Sequence, residues 1–202
     1  MPITGNYAVT GSVQGRVYQV TTTVNTNAAL QIDESCLVAE AGSLTTRTNN
    51  TTGNVTLTVN AVNIATGDVV DLYWSDGQRR GVTVGTVSGT NVPLTNSGSG
   101  DNLPVANTNL YVAPTRVVNT SIVGNGVTAI VIDSSGAEDG MYSILASGTE
   151  VTGGRLNTGA DYVWFSGLGV TNPVASNTIT QIRVSQGGTT ANNVVRGTIQ
   201  YG

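Results

Sequence analysis

The sequence predicts an all-β protein: an antiparallel β-sandwich or a jelly-roll or barrel-like fold, in one large or two small β domains, with little or no helix. Three observations lead there. Thr (31), Val (29), Gly (26), Asn (20) and Ser (15) dominate a chain of 202 residues, a set that favours pleated strands and turns and weakens helices. Apolar residues recur at every second position in several segments, the period of a half-buried strand. Turn residues follow one another at the short spacing of a sandwich or barrel.

Taken in order, Tyr7, Val9, Val13 and Val17 alternate with Thr10, Ser12, Gln14 and Arg16, which predicts a strand at the N-terminus. Residues 28–41, AALQIDESCLVAEA, concentrate Ala, Leu, Gln and Glu and form the one helix candidate. The same stretch reads equally as two strands broken at Asp33-Glu34. Thr45 to Asn54 is polar and reads as an exposed segment. Val55, Leu57, Val59 and Ala61 alternate with Thr56, Thr58 and Asn60, a second strand pattern.

Asp76-Gly77 separates the strand-like runs VVDLYW and QRRGVTV, and an Asx-Gly pair supplies the positive φ values of a tight hairpin turn. Asn125-Gly126 does the same between SIVG and VTAIVID. Gly85 to Asn102 is small and polar almost throughout, which predicts a long exposed loop. Further breaks are expected at Ser134-Ser135-Gly136, Asp139-Gly140, Gly153-Gly154 and Gly187-Gly188. Val195, Ile199 and Tyr201 alternate with Arg196, Thr198 and Gln200, so a strand closes the chain.

The halves echo one another. TGDVVDLYW at 66–74 resembles TGADYVW at 158–164, and PVANT at 104–108 resembles PVASNT at 173–178. A duplication would divide the chain near 114–126, after Pro114. The expected organisation is an N-terminal β domain over 1–118, carrying an N-terminal arm and the 85–102 loop, and a C-terminal β domain over 119–202; a single domain is the other reading.

The residue types exclude much chemistry. The chain has no His and no Lys, eight Arg, twelve acidic residues and one cysteine, Cys36. Without His, a Cys-His nucleophile cannot exist, so Cys36 is expected to be a buried structural residue. Acid–base work would fall to carboxylates, yet the pairs Asp33-Glu34 and Glu138-Asp139 are sequence neighbours and read as turn residues. Asp68, Asp71, Asp76, Asp133 and Asp139 raise calcium, but none lies in a loop with the Asp-x-Asp/Asn-x-Asp/Asn-Gly spacing. No phosphate-binding glycine motif is present. No enzyme activity, metal or cofactor is expected.

A hydrophobic fraction of 39% can fill a core, although only ten aromatic residues contribute to it. The net charge of −4, with Arg dispersed, argues against nucleic acid, which requires a basic footprint. It argues likewise against an anionic membrane surface. The opening MPITGNYAVTG lacks the basic and apolar regions of a secretory signal, and no apolar run is long enough for a membrane-spanning helix. Sequons at Asn49, Asn50, Asn54 and Asn119 follow from the abundance of Asn and Thr.

Two groups of residues are candidates for contact with a partner. Arg79-Arg80 forms the one local basic spot, able to join an interface through carboxylates; the plainer reading is two solvated arginines that limit edge pairing. Trp74 with Tyr73, and Trp164 with Tyr162 and Phe165, could present a platform for sugar rings, with Asp71, Asp161 and Asn172 as hydrogen-bonding neighbours, or could pack in the core or in a subunit interface. Alternation places Tyr73 and Trp74 on opposite faces, so one of them is expected in the core.

The Thr/Val/Gly/Asn-rich strands, the small-residue loops and the shortage of catalytic residue types together resemble the accessory structural proteins of tailed-bacteriophage virions, head decoration or cement proteins in particular. The resemblance is one of composition over the whole chain and transfers no residue. It implies a virion protein on the capsid surface that binds the major capsid protein and itself as a homotrimer, with residues 1–20 and the 85–102 loop as contacts. The alternative is a carbohydrate-binding adhesin or fibre tip that attaches to a host glycan through Trp74 or Trp164.

Overall fold

The computed structural model describes residues 7–13, 17–22, 28–35, 38–95, 98–122, 127–135, 140–146, 148–156, 179–186 and 194–201. All regular structure in them is β-strand. In chain order these are β1 (Tyr7–Val13), β2 (Val17–Thr22), β3 (Ala28–Ser35), β4 (Glu40–Arg47) and β5 (Gly53–Leu57). Next come β6 (Val69–Trp74), β7 (Gly77–Thr83), β8 (Asn91–Leu94), β9 (Ser99–Gly100) and β10 (Thr108–Ile122). The last five are β11 (Val127–Ser135), β12 (Gly140–Ala146), β13 (Thr149–Leu156), β14 (Ile179–Gln186) and β15 (Val194–Tyr201). The chain divides into two compact units: residues 36–115 with 185–191, and residues 1–35 with 116–184 and 192–202.

The first unit is an antiparallel barrel assembled from two hairpins and two stitching strands. Hairpin β4–β5 and hairpin β6–β7 pair internally. The first half of β10 lies between β4 and β6 and pairs with both. On the other side β8 pairs with β5. Val84, just past β7, bridges to Leu94 of β8, flanked by Gly85 N–H to Pro93 O at 2.8 Å and Thr95 N–H to Thr83 O at 2.9 Å. β9 extends the same seam along Arg79 and Arg80. The sheet therefore curls until its ends touch at this short seam, which shortens the open edges a flat sheet would expose.

Alternation explains the filling. Leu44, Val55, Leu57, Val70, Leu72, Trp74, Val82, Val84, Val92, Leu94, Leu110 and Val112 point inward and form one buried cluster with Ile64 and Leu103 from loops. Each such side chain contributes about 1.5–3 kcal/mol of burial. The other face of β4, β5 and β8 carries Ser43, Thr56 and Asn91.

The second unit holds hairpin β1–β2, with β2 running parallel to the second half of β10. Hairpin β12–β13, β14 beside β12, and the three-stranded antiparallel sheet β11-β15-β3 complete it. Its buried apolar residues include Val117, Met141, Tyr142, Ile144, Leu145 and Val184.

Strands expected at the N-terminus, at Val55–Leu57, on both sides of residue 76 and at the C-terminus are present. Several local expectations require correction. For residues 28–41 the two-strand reading is met and the helix is not, but the break does not fall at Asp33-Glu34: β3 contains both, paired with Arg196 and Val195, and β4 begins at Glu40. Pairing with β15 outweighs the helix preference of Ala, Gln and Glu. The 85–102 segment is not a long loop, since β8 and β9 lie in it and Val92 and Leu94 are buried. Its tight turn is Ser88–Asn91, with Gly89 at φ +60° in the first central position, the requirement of a type II′ hairpin.

The hairpin at Asp76-Gly77 turns one residue earlier, on Ser75-Asp76, because Trp74 pairs with Gly77. Gly77 has no positive φ; it is required because a Cβ there would lie 2.5 Å from the Trp74 ring. Asn125-Gly126 does not join a hairpin: β10 and β11 belong to different sheets, and the two residues themselves lie outside the described ones. Gly153-Gly154 is inside β13, opposite Ser143 and Tyr142. The turn falls instead next to Gly148, at φ +82°. Val59 and Ala61 lie beyond the end of β5. Cys36, Gly187-Gly188, Glu138-Asp139 and the second copy of the internal echo, at 158–164, lie outside the described residues.

Candidate functional site

The inner face of the barrel is closed to ligands by its own side chains. Trp74 is only 5% exposed and belongs to the core cluster. Its ring covers Gly77, so neither the platform nor the interface expected of Trp74 can form on it. Trp164, with Tyr162, Phe165, Asp161 and Asn172, lies outside the described residues.

Arg79 and Arg80 are 5% and 7% exposed, which overturns both the solvated and the surface-interface reading. Arg79 stands opposite the inward-facing Leu72. Its Nη1 donates to Asp101 O at 2.5 Å and to Gly100 O at 3.4 Å, and its Nη2 donates to Gly98 O at 3.2 Å. The planar fork thus ties the β9 segment to the end of the barrel. Burial pulls the guanidinium below its ordinary pKa; the Asp101 charge opposes that shift and neighbouring Arg80 adds to it. Arg80 and Gly81 together face Asp71, since the β6–β7 register skips one residue there. Such a two-against-one bulge leaves backbone groups in need of partners.

The carboxylates show where the acidic residues are used. Asp71 is fully buried; its Oδ1 accepts the Gly81 N–H of the bulge at 2.8 Å and its Oδ2 accepts the Ser185 hydroxyl at 2.5 Å. Glu40 Oε1 accepts Val62 N–H at 3.1 Å and Asn63 N–H at 2.5 Å. Asp68 Oδ2 accepts Ala65 N–H at 2.7 Å, and Asp101 Oδ2 accepts Gln78 N–H at 3.0 Å. Asp76 Oδ1 accepts the Ser75 hydroxyl at 3.2 Å. Each holds a turn, bulge or loop of its own barrel. Among the described residues no cluster of His, Cys, Asp or Glu could hold a metal ion.

The face turned away from the core cluster is aromatic at Tyr73 and Tyr111 and polar over β10, β4, β5 and β8; the one carboxylate on the same face of β6, Asp71, and Tyr73 itself are buried. Tyr73 of β6 and Tyr111 of β10 are direct register partners, and their rings stack with centroids 4.8 Å apart and planes 10° from parallel. On its other side Tyr111 pairs with Ala41 of β4, and it keeps 37% of its surface exposed. One pleat away the pairs Asn109–Ser43, Ser43–Thr56 and Thr56–Asn91 make a continuous polar row over β10, β4, β5 and β8. Thr45 and Thr56 hydroxyls are 3.1 Å apart, and Asn54 Nδ2 donates to Asn91 Oδ1. Sequence reasoning placed Tyr73 on the face opposite Trp74 but missed Tyr111, which becomes its neighbour only through long-range strand pairing.

No protein-family model matches the chain, and no curated protein matches it.

Proposed function

We propose that this protein is a non-enzymatic structural component of a virion, which binds the outer capsid surface as a homotrimer and reinforces contacts between major capsid subunits. The observation that carries the reading is the use of the polar groups: the carboxylates of Glu40, Asp68, Asp71 and Asp101 hold the barrel's own backbone amides, and the buried Arg79 holds its carbonyls. These charges are spent on shape. A filled, closed barrel then offers its outer surface and its loops to a partner. Exposed Val59, Val62 and Val105 on loops supply apolar contact of the kind that many weakly bound copies sum into firm attachment.

The experiment is co-sedimentation of the purified chain with expanded phage heads assembled without accessory proteins, together with its solution mass by light scattering. A trimer that saturates the heads supports the reading. Absence of head binding by a chain that is monomeric at every concentration overturns it.

A further inference from the structure

We propose that the outer face of the barrel around Tyr111 binds a neutral oligosaccharide. The inference does not rest on the capsid reading and places a glycan on different residues from the tryptophans. One face of the Tyr111 ring is taken by Tyr73. On the other side stands Ala41, whose single methyl cannot cover a phenol ring, and Tyr111 keeps 37% of its surface exposed. A stack open at one end accepts another flat, weakly polar face. The C–H face of a pyranose ring fits, because its slightly positive hydrogens meet the electron-rich face of the tyrosine.

Beside the open ring runs the row Asn109, Ser43, Thr56, Asn91, one polar side chain per strand. Strands lie about 4.8 Å apart, a spacing comparable with the length of one sugar unit, so successive units of a chain laid across the strands meet successive side chains. Amides and hydroxyls both donate and accept, as sugar hydroxyls require. The contact of Thr45 with Thr56 and of Asn54 with Asn91 fixes two of these side chains before a ligand arrives, which lowers the ordering cost of binding. Neither the row nor the Tyr73–Tyr111–Ala41 line contains a charged residue, so the surface suits an uncharged glycan and sets no cation from these positions against an acidic one.

The test is isothermal titration and ligand-observed NMR with cellohexaose, maltohexaose, β-1,3-glucohexaose and α-1,6-mannohexaose, with hexagalacturonate as the anionic contrast. At least one neutral chain is expected to bind saturably and hexagalacturonate to bind more weakly. Tyr111→Ala is expected to weaken binding about tenfold or more, the loss of one stacking contact of ~1.4 kcal/mol, and Tyr111→Phe to retain it. Ala41→Tyr keeps both tyrosines and covers the open ring, so loss of binding in a variant of unchanged thermal stability separates blocking from misfolding. Silence from all four neutral chains, preference for hexagalacturonate, or undiminished binding by Tyr111→Ala and Ala41→Tyr overturns the proposal.

Discussion

Asp71 serves two segments at once: one oxygen receives the amide of the β7 bulge and the other receives the hydroxyl of Ser185. Because the site is fully buried, losing the acceptor strands both donors away from water. Asp71→Ala is expected to cost about 2–4 kcal/mol in urea unfolding, and Asp71→Asn less, since its amide oxygen still accepts the Gly81 N–H. Equal losses would show that the acceptor is not what matters. Gly77 is constrained by a neighbour instead. A methyl placed 2.5 Å from the Trp74 ring forces the indole or the strand to move, so Gly77→Ala is expected to cost about 1–3 kcal/mol and to alter the near-ultraviolet circular dichroism. An unchanged spectrum and midpoint would remove the clash from consideration.

At the scale of elements, loops are held by single side chains. Glu40 receives the amides of Val62 and Asn63, which keeps the loop between β5 and β6 folded back on the start of β4 while Val62 stands exposed. In Glu40→Ala, the Val62 and Asn63 amides are expected to lose hydrogen-exchange protection, while the Val55 amide inside β5 keeps it. Protection retained at both loop amides would mean that other contacts suffice. The same scale shows what was legible in sequence. The β6–β7 hairpin is legible because two alternating runs flank a short polar turn, although Gly77 lacks the positive φ that its place after Asp76 suggests. β8 is not, because Asn91–Leu94 is four residues long, contains Pro93 and sits among Ser, Thr and Gly. Its strand character comes from neighbours on both sides, β5 and the end of β7. Residues 28–41 stay ambiguous in sequence for the opposite reason: local composition favours helix as much as strand, and pairing of β3 with β15 decides for strand. The candidate site was least legible. Tyr73 and Tyr111 become partners only when β10 inserts beside β6, and no local pattern announces that neighbour. Trp74, Arg79 and Arg80 are contact candidates by residue type alone, yet in the barrel all three are buried.

At the scale of the whole barrel, closure makes a prediction of its own. Were β7 and β8 adjacent free edges, the amides of Gly85 and Thr95 would exchange quickly as the seam frayed. Joined as they are, both are expected to show protection comparable to that of amides within β4 and β5, measured by native-state hydrogen exchange. Rapid exchange at these two positions, with slow exchange elsewhere, would show an open sheet.

The insertion of β10 between β4 and β6 also orders events on the ribosome. The two hairpins and β8 are complete once residue 94 has emerged, yet their remaining flanks must wait for Thr108–Pro114 to be synthesised before the wall can be finished. Until then a nascent chain carries two unmatched strand borders, β4 and β6, both from the interior of the final structure. Joining partners so distant in sequence is slow, and strand borders left exposed meanwhile invite pairing with a second nascent chain. Slower translation before residue 108 would therefore lengthen that exposed interval and lower the soluble yield, whereas slowing downstream of residue 115 would leave the barrel time to close.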